Sequence, residues 1–202
     1  MHSLFETLGP DVWFYAILAV VLCIAAWTDL RTEKIYNWLT YPAILVGLLG
    51  HTVVGGSPVF SGVSDHAGVM TLSDSLMGLA IGFLPLFQGW QAGGIGGGDA
   101  KLMAAVGALT GWRFAVTAIF YGLGVAVLYS LWVLLHQKML RDTLGRVFRF
   151  MWLALLKNNP GDPATDQSPK VAFGTCMCVG AGVVLLVILI WGHNAEMLWV
   201  GV

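Results

Sequence analysis

The feature that most constrains this chain is a succession of long apolar runs separated by short polar breaks. Of the 202 residues, 57% are hydrophobic and 10% are charged. Because a hydrocarbon core of about 30 Å needs roughly 20 apolar residues in a helix, we predict an all-α fold: a single integral-membrane domain over residues 1–202, built as a polytopic helix bundle of about six transmembrane helices. The predicted spans are Val12–Thr28, Trp38–Val54, Ser75–Trp90, Leu102–Gly111, Phe114–Leu135 and Val171–Trp191.

The positive charges indicate how such a bundle is oriented. With six crossings, all ten Lys and Arg residues except Arg113 fall on one side, and the excess of positive charge marks the cytoplasmic side of a membrane. The opposite loop, His51–Ser73, contains no Lys or Arg. We therefore predict a multi-pass protein of the cytoplasmic membrane with both termini outside.

The fourth predicted span is short, and this leaves two ways to thread the chain. Merging Ala100–Leu135 into one helix requires about 54 Å at 1.5 Å per residue and places Arg113 near the middle of the bilayer. We therefore predict a hairpin that turns at Gly111-Trp112-Arg113.

The longest loop, at about 136–170, is predicted to be cytoplasmic. Its part Met139–Lys157 alternates apolar and basic residues, a pattern typical of an amphipathic helix lying on membrane lipid. A connector and a substrate-docking element both fit this pattern, and the connector is the commoner use of such helices.

The cysteines and histidines show no metal-ligand spacing. Cys23, Cys176 and Cys178 lie in apolar runs without a C-x-x-C pair, and the five histidines fall in termini or predicted loops. We therefore expect no metal site. No feature indicates another cofactor or a nucleic-acid partner.

Two aspartates stand out, because a carboxylate close to an apolar span is costly and is a functional candidate by default. Asp29 ends the first apolar run, and Asp99 ends the stretch Gly93-Gly-Ile-Gly-Gly-Gly-Asp99. For Asp29 the ordinary alternative is an interfacial residue neutralised by Arg31. For the glycine stretch the alternatives are a linker or a phosphate loop, but the phosphate-loop spacing is absent. We expect the glycine loop to dip into the membrane, where a wet or protein-lined cavity would shield it.

Asp74 and two glycines have plainer explanations. Ser73-Asp74 before the third span is predicted to cap that helix, and Gly78 and Gly82 form a G-x-x-x-G that allows close helix contact.

The predicted spans bring Asp29 and Asp99 to the same membrane face. Two carboxyl groups within a few Å share one proton near neutrality. The ionised group can take a proton from an attacking water while the protonated group donates to a peptide carbonyl. This is aspartyl-protease chemistry. The position of Asp99 at a helix N-terminus favours its ionisation.

These residues resemble a known family. Gly96-Gly-Gly-Asp99-Ala-Lys-Leu, with Gly107 and Gly111-Trp112 behind it, is similar to the G-x-G-D signature of the type IV prepilin and preflagellin peptidases. The stretch from Asp29 to Thr40 resembles the family's first aspartate motif. The resemblance implies a six-helix aspartyl protease with Asp29 and Asp99 as its catalytic pair, no cofactor, and the loop residues Gly96, Gly97, Gly98 and Lys101 around them.

The resemblance also implies a substrate. Members of this family cut a short basic leader from pilin-like precursors at the cytoplasmic face. The interval between Asp29 and Trp38 has no room for the cysteine-bearing insert of the bifunctional members, so we expect the short form without methyltransferase activity. Two departures are that Tyr36 stands where the family has proline, and that Lys170–Thr175 matches the family's Pro-Phe-Gly-Pro-like segment only loosely, so no role transfers there.

Three other functions are compatible with parts of the sequence. An ion-coupled carrier could use Asp29 and Asp99 as a proton or cation relay, since broken helices are also carrier features. A membrane scaffold would explain the glycine packing but not the aspartate loop. A protease of the same type could instead cut signal-peptide-like or presenilin-type substrates.

Overall fold

The computed structural model describes residues 12–54, 70–91, 93–136, 145 and 172–191. Within these residues the regular structure is entirely helical, which confirms the predicted all-α class. The helices are α1 (Val12–Thr32), α2 (Asn37–Val54), α3 (Leu72–Gln91), α4 (Gly97–His136) and α5 (Phe173–Trp191).

Three of these helices are long and apolar enough to cross a membrane, namely α1, α4 and α5, when the described residues are searched. The other two, α2 and α3, contain 18 and 20 residues, or about 27–30 Å of helix. Large apolar side chains on the outside of the bundle, such as Trp13, Val20, Leu186 and Ile190, are exposed. Such a surface suits lipid as its surroundings.

The helical run α4 is broken at Gly111, whose φ of 78° and ψ of 177° are non-helical. Before the break, Gly107 faces Gly78 and Met103 faces Gly82. Because residue numbers fall along one helix as they rise along the other, this arm runs antiparallel to α3. After the break, Phe114 lies beside Tyr15 with ring centroids 6.3 Å apart, and Gly122 already contacts Met177, one turn from the start of α5. The chain therefore reverses at Gly111, and the predicted hairpin is confirmed.

The arm before Gly111 begins earlier than predicted, at Gly97 instead of Leu102, so part of the predicted glycine loop is helical. From Leu102 to Gly111 every residue is buried. A helix that is apolar on all sides belongs in the interior, and this arm is the centre of the bundle. It can be shorter than a bilayer because protein, and not lipid, surrounds it.

Glycines allow the neighbouring helices to approach this central arm closely. A Cβ added to Gly78 would collide with the backbone carbonyl of Gly107, and one added to Gly82 with that of Met103. The close contact predicted from the G-x-x-x-G pattern is therefore confirmed.

His51 is a correction to the sequence analysis, which placed all histidines in termini or loops. It lies in the last turn of α2, 1% exposed, and stacks on Phe14 with ring centroids 4.1 Å apart. Its Nε2 donates to the Leu109 carbonyl at 3.1 Å, and Ser75 Oγ donates to the Ala108 carbonyl at 2.6 Å. Both carbonyls lie just before the Gly111 break, where helical amide partners run out, so the two side chains cap the end of the central arm.

The cap of α3 is displaced by two residues from the prediction. Thr71, not Ser73, is the capping residue: the Asp74 amide lies 3.4 Å from Thr71 Oγ1, and Asp74 Oδ2 accepts from the Thr71 hydroxyl at 2.8 Å and from its amide at 3.2 Å. This reciprocal pattern is a capping box. The structural role predicted for Asp74 is confirmed.

The chain divides into two compact units, Met1–Val125 with Ala172–Val202, and Ala126–Val171. In the first unit, α5 packs on α1, and both contribute to the buried core. In the second, Trp132 stacks between Tyr129 and His136, at centroid distances of 6.2 and 5.6 Å. The predicted amphipathic helix Met139–Lys157, apart from Gly145, lies outside the described residues, as do both termini and most of the loop His51–Ser73.

Candidate active site

Asp29 lies in the last turn of α1 and is 6% exposed. The helix ends just beyond it, where Glu33 adopts a φ of 52° and its amide donates to the Asp29 carbonyl at 2.9 Å. The Asp29 side chain faces α5: its Oδ2 accepts hydrogen bonds from the Thr175 amide at 2.6 Å and from Thr175 Oγ1 at 2.8 Å. Asp29 is thus a buried, hydrogen-bonded residue.

The alternative in which Arg31 neutralises Asp29 is wrong. The Arg31 guanidinium lies 4.3 Å from the centre of the Trp27 ring, and Trp27 itself is 60% exposed. Arg31 and Trp27 form a cation–π pair on the outside of the bundle, while the Asp29 carboxylate points inward to Thr175.

Asp99 lies in the first turn of α4 and is 7% exposed. The glycine stretch before it ends α3 and begins α4. Gly93, with a φ of 78°, ends α3 by donating to the Trp90 carbonyl at 2.9 Å, while the Gly94 amide donates to the Gly89 carbonyl at 3.0 Å. This is the Schellman pattern that a glycine in the left-handed region permits. The next helix then starts at Gly97, and the Asp99 amide donates to the Gly96 carbonyl at 3.1 Å.

The two carboxyl groups meet at Gly174, in the first turn of α5. A Cβ added to Gly174 would lie 2.6 Å from Asp99 Oδ1 and 3.0 Å from Asp29 Cγ. The two carboxyl groups are therefore separated by no more than the sum of these short distances. Three helix ends, those of α1, α4 and α5, build the site together at one end of the bundle.

The glycines of the G-x-G-D stretch each let a different group approach. A Cβ on Gly96 would lie 3.1 Å from Asp99 Oδ2, one on Gly97 would lie 3.2 Å from Trp90 Nε1, and one on Gly98 would lie 3.1 Å from Ile35 Cβ. Their contacts are packing contacts within the chain, and they hold Asp99 close to its neighbours.

Lys101 connects the two aspartate motifs. Its Nζ donates to Asn37 Oδ1 at 2.9 Å and lies 5.4 Å from the centre of the Tyr41 ring. Asn37 begins α2, so this bond ties the start of α2 to the start of α4. The ammonium group of Lys101 therefore points to Asn37.

Sequence reasoning missed three residues at the site, namely Ile35, Gly174 and Thr175. Ile35 lies against Gly98 and Gly174, and Thr175 is the hydrogen-bonding partner of Asp29. The loose match of Lys170–Thr175 to the family pattern was the available signal for the last two. No group of three or more His, Cys, Asp or Glu residues that could hold a metal ion occurs within the part of the chain that the structure describes.

Comparisons with known proteins agree with this arrangement of motifs. The family model of the type IV leader peptidase family matches residues 16–131, a range that contains both Asp29 and Asp99 but not Thr175. The chain is 26% identical over 197 residues to a prepilin leader peptidase/N-methyltransferase of Aeromonas hydrophila, covering 93% of this chain and 53% of that protein. The chain therefore spans about half the length of this curated relative. No solved structure matches it. The match over more than half of its residues shows that the chain belongs to the type IV leader peptidase family.

Proposed function

We propose that this protein is a membrane aspartic endopeptidase that removes the short basic leader from type IV pilin-like precursors. The observation that carries the proposal is the meeting of the Asp29 and Asp99 carboxyl groups around Gly174, within a member of the type IV leader peptidase family. The similarity to the prepilin leader peptidase/N-methyltransferase of Aeromonas hydrophila supports this choice of substrate.

The proposed reaction needs one proton shared by the pair. The ionised carboxylate takes a proton from water as the water oxygen attacks the peptide carbonyl carbon, and the protonated carboxyl donates its proton to the carbonyl oxygen. Two buried carboxyl groups this close favour such a singly protonated state, because a second negative charge would be repelled.

The location of the pair supports cleavage at a membrane surface. Asp29 and Asp99 lie at the ends of α1 and α4 and not at their middles. A leader that precedes a hydrophobic helix leaves the membrane at such a level. Three of the four Lys and Arg residues in the described part of the chain, Arg31, Lys34 and Lys101, lie at this end, which favours a cytoplasmic orientation of the site in the cytoplasmic membrane.

The test is cleavage of a co-expressed pilin precursor, read as a shift on a gel, by the wild type and by Asp29→Asn and Asp99→Asn. We expect the wild type to cut and both variants to be inert while present in the membrane at normal levels, because each substitution keeps the size of the side chain but removes the shared proton. Asp74→Asn is the matched control, since Asp74 serves the cap of α3, and it should still cut.

Normal cleavage by either Asp29→Asn or Asp99→Asn would exclude the catalytic pair. A wild type that cuts no precursor, with Asp29 and Asp99 variants that lose ion-coupled transport, would favour the carrier instead.

A further inference from the structure

Thr175 gives the two carboxyl groups unequal surroundings. Its amide and its hydroxyl both donate to Oδ2 of Asp29, at 2.6 and 2.8 Å. The carboxyl of Asp99 has the backbone amide of Gly96 as its hydrogen-bonding neighbour among the described residues. Asp29 therefore receives one donor more than Asp99, and the extra donor is the Thr175 hydroxyl.

Burial and the helix dipoles also act on the pair. The exposed fractions of Asp29 and Asp99 are 6% and 7%, so burial penalises either charge alike. Each carboxyl group also lies beside a helix N-terminus, that of α5 for Asp29 and that of α4 for Asp99, but Asp29 lies in addition in the last turn of α1, whose dipole opposes a negative charge. Hydrogen bonds to a carboxylate favour its ionised form, and a hydrogen bond to a charged group contributes more than a helix dipole usually does. The two hydrogen bonds from Thr175 to Asp29 therefore outweigh the dipole of α1, and the Thr175 hydroxyl decides which carboxyl loses its proton first.

We propose that Thr175 is a positioning residue that holds Asp29 as the ionised partner, so that Asp29 accepts the proton of the attacking water and Asp99 donates to the peptide carbonyl. This inference rests on the proposed function. It reverses the expectation from sequence, which considered only the helix N-terminus beside Asp99. The hydroxyl that determines the assignment belongs to α5, 146 residues along the chain from Asp29.

The charged and titratable neighbours of Asp29 do not obscure a test by pH. Asp99 on α4 is its partner, and the thiols of Cys176 and Cys178 on α5 lie close enough to interact with both carboxyl groups. Thiols ordinarily titrate at about 8.5, above the range in which a carboxylate base loses its proton. Arg31 is engaged with Trp27 and Lys101 with Asn37.

The experiment is the pH profile of kcat/KM for cleavage of a pilin-precursor peptide by the full chain in detergent, for the wild type, Thr175→Val and Thr175→Ser. Thr175→Val keeps the shape but removes the hydroxyl, and one hydrogen bond to a charged group corresponds to a shift of about one pH unit. We expect the acidic limb to move upward by about that amount in Thr175→Val and to return in Thr175→Ser. Thr117→Val, which loses a hydroxyl bonded to the Arg113 carbonyl, should leave the profile unchanged.

Three outcomes would overturn the inference while the wild type remains active. A uniform loss of rate with an unmoved profile would make Thr175 a structural residue only. A shift of the basic limb alone would make Asp29 the acid. An unchanged profile would leave the hydroxyl without a role. Failure of the proposed function would be recognised separately. In that case either the wild type would not cut the precursor, or the Asp29→Asn and Asp99→Asn variants would still cut it.

Discussion

Gly174 is the single residue on which the geometry of the carboxyl pair depends most directly. It needs no unusual backbone conformation; what it provides is the absence of a side chain. A Cβ at this position would lie 2.6 Å from Asp99 Oδ1 and 2.8 Å from Ile35 Cδ1. Atoms that are not bonded to each other do not pack this closely. One of the carboxyl groups must therefore move when a methyl group is added.

We predict that Gly174→Ala lowers kcat/KM for leader cleavage by about 100-fold, the effect of misplacing a catalytic group by roughly 1 Å. The measurement is steady-state cleavage of a pilin-precursor peptide. Gly182→Ala on the same helix is the matched control, because a Cβ there meets nothing within 4 Å. Equal activity of the two variants would show that the pair tolerates a side chain between its members.

At the level of helices, glycines bring α3 and the central arm of α4 into direct backbone contact. Gly78 and Gly107 face each other across it, and an added Cβ on either meets the backbone of the other. Backbone atoms cannot swing aside as a side-chain end can, so the helices themselves have to separate.

We predict that Gly107→Ala lowers the free energy of unfolding by about 1–3 kcal/mol, the usual cost of overpacking. Only at its lower end would this cost be cancelled by the roughly 1 kcal/mol that alanine gains over glycine in a helix, and a collision between two backbones lies toward the upper end. The readout is the thermal unfolding midpoint in detergent. Gly124→Ala, on the same helical run but with nothing within 4 Å of an added Cβ, should be neutral or slightly stabilising. If both variants unfold at the same temperature, the two helices are not held by this contact.

The helices also show where local sequence patterns were sufficient and where they were not. Apolar runs located all five helices, and the glycine at 111 together with the nearby arginine located the hairpin. The start of α4 was predicted five residues late, because glycine disfavours helix by propensity while packing against Ile35 and Trp90 makes Gly97 and Gly98 helical here. His51 ends an apolar run, where a loop residue would look the same, and its burial depends on the distant Leu109 carbonyl.

At the scale of the whole molecule, the Lys and Arg residues that the structure describes are divided between the two ends of the central arm. Arg31, Lys34 and Lys101 lie with the carboxyl pair, and Arg113 lies beside the turn at the other end of the central arm. By the positive-inside rule we therefore propose that the carboxyl end faces the cytoplasm.

We predict that, in a variant whose three cysteines are replaced, Arg113→Cys reacts with a membrane-impermeant maleimide in intact cells and Lys34→Cys reacts only after lysis. Both side chains are exposed, so accessibility within the protein does not differ between them. The reverse labelling pattern would place the carboxyl pair outside and would contradict cytoplasmic leader cleavage.

The sequence was sufficient to predict the two carboxylates of the candidate site, but not the contribution of the start of α5. Asp29 and Asp99 are conspicuous, since charged residues beside apolar spans are rare. Gly174 and Thr175 are ordinary residues at the start of an apolar run, and their importance arises from a contact that joins distant parts of the chain. Residue type and spacing alone do not encode such a contact.

The bond between Thr175 and Asp29 has a consequence for biosynthesis. Its partners are separated by 146 residues, which a ribosome translating at about 5–20 residues per second takes roughly 7 to 30 seconds to add. During that interval α1 to α4 can be made while α5 is still missing, so a nascent chain carries both aspartates without their common neighbour, Gly174. The completed geometry therefore exists only after α5 has been inserted, and a translation product interrupted before α5 would carry the signature motifs without an assembled site.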